Sequence, residues 1–183
     1  MASQEVARPR TSVFVGTSVD GFLARRDGTF DFLSGDGAEE GAANGFDAFL
    51  ATVDAVLMGR NTYEVVLPFP VWPYGRKPVF VLTHRGLPPT REDAVVESVA
   101  GAPAAVLDNL GARGLAHVYV DGGLTIQQFL RAGLIDHIVV TQVPVLIGTG
   151  IPLFGVLESD VRLRHVTTRV LPGGAVQSEY RIT

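Results

Sequence analysis

Apolar runs alternate with helix-spaced apolar positions along most of this chain. TSVFVG (11–16) is rich in Val and Phe, ends in Gly and predicts a buried strand. Phe46, Phe49, Leu50 and Val53 recur at the spacing of one helix face. DAVLMG (54–59) predicts a second buried strand, VFVLT (79–83) a third after Lys77 and Pro78, and 93–97 a short one. Pro103 suits the first turn of a helix that carries Val106, Leu107 and Leu110 and stops near 111–114. HVYVDGG (117–123) reads as a strand ending in two glycines. A helix over 125–132 follows, with Ile126, Phe129 and Leu130 inward and Gly133 just past its end. HIVVTQVPVLIG (137–148) predicts one long strand, and 161–170 and 175–182 predict a closing hairpin turned by LPGG.

Strands that alternate with helices imply an α/β fold of three layers, with a mostly parallel sheet covered by helices on both faces. The closing hairpin adds antiparallel strands at one edge, so the sheet is mixed. No internal repeat or linker divides the chain, and a single domain over 1–183 is expected. Ligands of open sheets of this kind bind at the carboxyl ends of the strands. The residues that follow each strand are therefore where chemistry is sought.

Composition narrows the choices. Of 183 residues 46% are hydrophobic and 19% charged, which is globular rather than disordered. Net charge is −4 and the fifteen Lys and Arg are scattered, so no nucleic-acid groove is expected. The absence of cysteine excludes disulfides, thiolate nucleophiles and Cys-based zinc sites. His84, His117, His137 and His165 lie far apart, and no metal site is expected. The start, MASQEVARPR, is polar, and the most apolar stretch, 134–147, is too short and too polar to span a bilayer. A cytoplasmic protein with no membrane partner is the simplest expectation.

Four strand ends carry conspicuous residues. GTSVDGFLARRDGTFDFL (16–33) is either a glycine-punctuated lid over a ligand or an ordinary surface turn. In MGRNTYE (58–64), Gly59 lets backbone amides approach a ligand, Thr62 can cap a helix, and Arg60 can add a charge-assisted contact. The alternative is a turn with a solvated arginine. VLTHR (81–85) offers a hydroxyl, an imidazole and a guanidinium, three donors that suit a phosphate monoester, or else a polar loop. VYVDGGLTIQQFL (118–130) sets a glycine pair between a strand and a helix, the arrangement in which phosphates rest on a helix N-terminus. It is not the G-x-G-x-x-G fingerprint, so a standard Rossmann assignment fails. Gly122→Val suggests itself as a substitution that blocks such a cradle.

GTSVDGFLA, VLMGRNTYE, VLTHR, VDGGLTIQQFLRAGLIDHIVVT and PVLIGTGIPLFG occur in an order and spacing that resembles the dihydrofolate reductase superfamily. The blocks look closest to the reductase domain of bifunctional riboflavin-biosynthesis deaminase/reductases and its stand-alone relatives. The resemblance implies an eight-stranded mixed sheet and NADPH as hydride donor. It places Gly16, Thr17 and Ser18 near the nicotinamide, and Asp20 and Gly21 at the opening of a mobile loop. It gives Gly59, Arg60, Asn61 and Thr62 to the pyrophosphate and the adenosine side, and Thr83, His84 and Arg85 to the adenine ribose and its phosphate. Asp121, Gly122, Gly123, Leu124, Thr125 and Ile126 wrap the pyrophosphate from the other side, and Thr141 faces the substrate. Phe32 follows Asp31 where relatives often carry Asp-Trp.

Two departures matter. Folate-reducing members place a carboxylate on the first helix. The corresponding stretch here, LSGDGAEEGAANGFDAFL (33–50), has several acids and no clear match. Asp47 lies roughly 100° from the apolar face of its helix, and Asp31 beside the lid is the other choice for a proton donor. Where folate members often carry arginine after the glycines, this chain has Leu124. The reading is an NADPH-dependent reductase that transfers a hydride to a small pterin-, ribosylaminopyrimidine- or flavin-like heterocycle, with Asp31, Asp47 and Thr141 as catalytic candidates. The alternative is a non-catalytic nucleotide or pterin binder of the same fold. Pro68, Phe69, Trp72, Pro73 and Tyr74 form either an apolar rim over the substrate or a structural loop. A homodimer is the partner the resemblance suggests.

Overall fold

A computed structural model of the chain describes residues 8–34 and 45–183. The acids Asp36, Glu39 and Glu40 of the stretch before the first helix lie outside the described residues. Along the chain run β1 (Arg10–Ser18), β2 (Phe22–Ala24), a 3-10 turn (Asp31–Ser34), α1 (Phe46–Thr52), β3 (Ala55–Gly59), α2 (Arg60–Val66), β4 (Pro78–Leu82) and β5 (Val95–Val99). Then come α3 (Pro103–Ala112), β6 (His117–Asp121), α4 (Gly123–Arg131), β7 (His137–Val143), β8 (Ile151–Pro152), β9 (Leu163–Val170) and β10 (Val176–Ile182).

Eight strands form one sheet in the order β5-β4-β3-β6-β1-β7-β10-β9. Pairings from β5 through β7 are parallel, and β10 runs antiparallel to both β7 and β9. The expected mixed sheet with a closing hairpin is therefore the observed one. The central strands are Val- and Leu-rich because parallel strands are buried on both faces. Val13, Ala55, Leu57, Val118 and Val120 face α3 and α4, where Leu107, Leu110, Ile126 and Phe129 complete one core. Phe14, Val56, Met58, Val79 and Tyr119 face the other way, toward Tyr63 and Val66 of α2, with Phe46 and Phe49 of α1 packed alongside.

Three local expectations are corrected. The strand from His137 ends at Val143 rather than at 148. Pro144 cannot donate to a ladder, and the chain turns at once, with Val145 N–H bonding the Val143 carbonyl. The helix expected from Thr125 starts two residues earlier, at Gly123, because Gly122 with φ +90° makes the turn that the strand exit requires. Thr62 does not cap α2: Gly59 is the cap residue, and Thr62 lies within the first turn.

The loop after β1 is bonded to a second loop. Asp20 accepts the amides of Ile147 (3.3 Å) and Gly148 (2.7 Å), Leu153 N–H bonds the Gly21 carbonyl at 3.0 Å, and β2 pairs with β8. These bonds tie the β1–β2 and β7–β8 connections together. Asp20 and Gly21 thus hold two loops to one another.

Candidate active site

At the carboxyl ends of β1, β3 and β6 the sheet opens into two adjoining cavities. The larger, about 680 Å³, lies between the 3-10 turn, α2 and the ends of β1 and β6. The smaller, about 450 Å³, lies between the ends of β3 and β4 and the start of α4. Asn61, Thr62, Gly123 and Ile151 line both, so the two form one trough.

The junction is built by two helix starts. Neither α2 nor α4 has a side-chain cap, so the amides of their first turns are left without partners from a cap. The two starts interlock. A Cβ on Gly59 would lie 2.7 Å from Thr125 Oγ1, and a Cβ on Gly122 would lie 2.1 Å from Thr62 Oγ1. Each helix thus places a threonine where the other strand end carries a glycine. The glycines of MGRNT and VDGGLT are required by this packing as well as by any ligand.

The smaller cavity collects most of the residues expected to hold a cofactor: Gly59, Arg60, Asn61, Thr62, Thr83, His84, Arg85, Gly123, Leu124 and Thr125. Arg60 bonds Glu64 at 2.7 Å and reaches across to the Gly86 carbonyl, which ties the start of α2 to the loop after β4. Thr83 Oγ1 accepts the Arg85 amide at 3.1 Å, a local turn that presents the exposed His84 and Arg85. Ile126 is not at the cavity. It is fully buried beneath α4 in the core.

The larger cavity has an apolar wall, made by Phe14, Phe30, Leu33, Val66, Phe69 and Tyr119. Gly16 lies on its floor, where a Cβ would meet Leu33 at 3.1 Å. The neighbouring Thr17 is buried, and its Oγ1 has no partner among the described residues. Asp121 also lines this cavity. Its carboxylate accepts Tyr74 O–H at 3.0 Å and the Gly122 amide at 2.8 Å. Burial pushes this carboxyl above the ordinary Asp range, against the lowering by those two donors. The same surroundings push the Tyr74 hydroxyl up, first through burial and then through the nearby carboxyl.

The three residues singled out for catalysis fare differently. Asp31 is exposed and paired with Arg25 at 2.7 Å; that guanidinium holds its carboxyl below the ordinary range. An ionised, solvated group of this kind is no proton source at neutral pH. Asp47 is exposed on α1 and lines neither cavity. Thr141 is the register partner of Gly16 on β7, but its Oγ1 accepts Gln177 Nε2 at 2.8 Å and it lines neither cavity. Among 68–74, Phe69 reaches the cavity and stands 6.2 Å from the Phe30 ring, whereas Trp72 and Tyr74 are core residues. Asp121 was legible as the end of a strand before two glycines. Its shifted acidity was not, because that comes from burial by segments distant in sequence.

Comparison with known proteins agrees with this geometry. The Bacillus subtilis (strain 168) protein YwjB is 35% identical over 173 residues, 93% of this chain and 97% of that one. A Shewanella sp. PV-4 protein of known crystal structure is 39% identical, with a TM-score of 0.88 over 95% of this chain and 99% of that one. Dihydrofolate reductase from Enterococcus faecalis, solved with NADP(H), shares the fold at 14% identity, with a TM-score of 0.64 over 95% and 96% of the two chains. No helix among the described residues is long and apolar enough to cross a membrane. Residues 9–176 match the family described as the RibD C-terminal domain, and the chain belongs to that reductase-like family within the dihydrofolate reductase-like fold.

Proposed function

We propose that this protein is an NADPH-dependent reductase acting on a small pterin-, ribosylaminopyrimidine- or flavin-like heterocycle. The observation that carries the reading is the trough itself. A polar lobe and an apolar lobe meet at two uncapped helix starts, the shape and charge pattern of a dinucleotide with a ring at one end. Uncapped amides at the start of α4, with Asn61 and Thr62 opposite, suit a pyrophosphate. His84 and Arg85 at the far end suit a 2′-phosphate, which distinguishes NADPH from NADH.

When bound, NADPH supplies the hydride. The chain's own groups do the rest. Gly16 lets the Leu33 side chain close over β1, and the apolar wall would exclude water from the ring end of the cofactor. The proton that follows the hydride comes from the Asp121 carboxyl, the lining acid that burial favours in its protonated form. Tyr74 holds that carboxyl in place from behind. A steady loss of absorbance at 340 nm with one heterocycle from a panel of pterins, ribosylaminopyrimidines and flavins tests the reading. Tight NADPH binding with no turnover on any acceptor would instead favour a non-catalytic binder.

A further inference from the structure

Building on the reductase reading, we infer that the acceptor is an uncharged ring compound that carries no phosphate group. Among the described residues, the apolar lobe has four charged residues in its lining: Arg26, Asp27, Glu64 and Asp121. Glu64 is paired with Arg60, and Asp121 is taken up by Tyr74 and the Gly122 amide, so the lobe's lining cation, Arg26, stands beside the carboxylate of Asp27 with no second cation in the lining among the described residues. Recognition of a phosphate by side chains uses several charge-assisted donors converging on one group. Arg26 is exposed in the turn after β2, and its neighbour in that turn is the carboxylate of Asp27. Glu64 is held by Arg60, whose guanidinium points along the polar lobe toward Gly86.

The anion-seeking feature of the trough is the uncapped start of α4 at the junction, which on the reductase reading is taken by the cofactor's pyrophosphate. A second phosphate, on the acceptor, would find aromatic rings, the Asp27 carboxylate and one exposed guanidinium. Its desolvation would go largely uncompensated. What the lobe offers instead is ring faces for stacking, from Phe30, Phe69 and Tyr119, and a carboxyl in Asp121 that can meet ring N–H groups. An acceptor of this description is planar, neutral and rich in donors along one edge.

The test uses two matched pairs, riboflavin with its 5′-phosphate and a ribosylaminopyrimidine with its 5′-phosphate. Members of each pair differ only in the charged group. NADPH binding is measured first by fluorescence titration, which tests the underlying reading by itself. The four compounds are then titrated calorimetrically onto the NADP⁺-loaded protein, and any turnover is followed at 340 nm. In at least one pair the unphosphorylated member is expected to bind about tenfold or more tightly than its ester. In Val65→Lys, which adds a cation to the cavity wall, the esters are expected to gain about tenfold while the neutral compounds do not. Equal or tighter binding of the esters by a protein that binds NADPH would overturn the inference and leave the reductase reading standing. So would no binding of any of the four compounds, or an equal response of both members to Val65→Lys. Absence of NADPH binding would overturn both.

Discussion

Gly122→Ala probes the interlock on which the site is built. Gly122 has φ +90° and ψ 133°, a backbone region closed to side chains with a Cβ. Holding alanine there costs about 1–3 kcal/mol. The added methyl also lies 2.1 Å from Thr62 Oγ1 and 3.1 Å from Thr62 Cβ. Such an overlap forces a shift worth a further 1–3 kcal/mol or so. The sum, about 2–6 kcal/mol, corresponds to a drop in Tm of at least roughly 5 °C for a chain of this size. The two parts separate in a double-mutant cycle. Thr62→Ala removes the hydroxyl but leaves φ unchanged, so in that background Gly122→Ala should cost about 1–3 kcal/mol less. Urea unfolding with a constant m-value gives each figure. A cost below about 1 kcal/mol for Gly122→Ala, or the same cost in both backgrounds, would refute the interlock. Gly122→Val, suggested by the sequence alone, is a poor probe of the cofactor cradle for this reason: it disturbs the fold before any ligand arrives.

Three further outcomes are expected. Asp121→Asn keeps the shape but cannot deliver a proton, so turnover should fall by about 10²–10⁴ while NADPH affinity changes little, by steady-state kinetics and fluorescence titration; unchanged turnover would remove Asp121 from the reaction. Arg85→Ala should weaken NADPH binding by about 1.5–3 kcal/mol and leave NADH binding unchanged, by calorimetry; an equal loss for both cofactors would contradict a 2′-phosphate contact. His117 lies 2.7 Å from Ser12 Oγ and 2.8 Å from the Thr52 carbonyl, and its pKa is depressed below 6.5, chiefly by burial. The folded state therefore resists protonation more than the unfolded one does. The stability this confers is complete above pH 6.5 and declines as pH falls through that value toward the folded pKa. Urea midpoints of the wild type should drop below pH 6.5, and His117→Gln should flatten that part of the profile.

Much of this was legible in the order of residues. Val-rich runs marked the buried parallel strands, since a strand covered on both faces has no polar side to alternate. The glycines at 16, 59, 122 and 123 marked where the trough would open. What could not be read were features made by residues distant in sequence. Asp121 is buried by segments distant in sequence and bonded by Tyr74, and the apolar wall draws Phe14, Phe30, Phe69 and Tyr119 from four separate segments. Asp31 looked like a proton donor because it follows the β1–β2 region, but its Arg25 partner six residues earlier fixes it as a solvated ion. The long strand from His137 was misjudged because hydrophobicity continued past Pro144 after the ladder had stopped.

The cross-tie between the β1–β2 and β7–β8 connections has a consequence for how loop lengths can vary in relatives. Asp20 reaches two successive amides, at Ile147 and Gly148, while Gly21 and Leu153 are bonded at a second point. A residue inserted into one connection alone would slide these contacts out of step. Insertions and deletions near Asp20 should therefore occur in company with compensating ones between Pro144 and Leu153, and chains that lack the acid should show the two segments drifting independently in length.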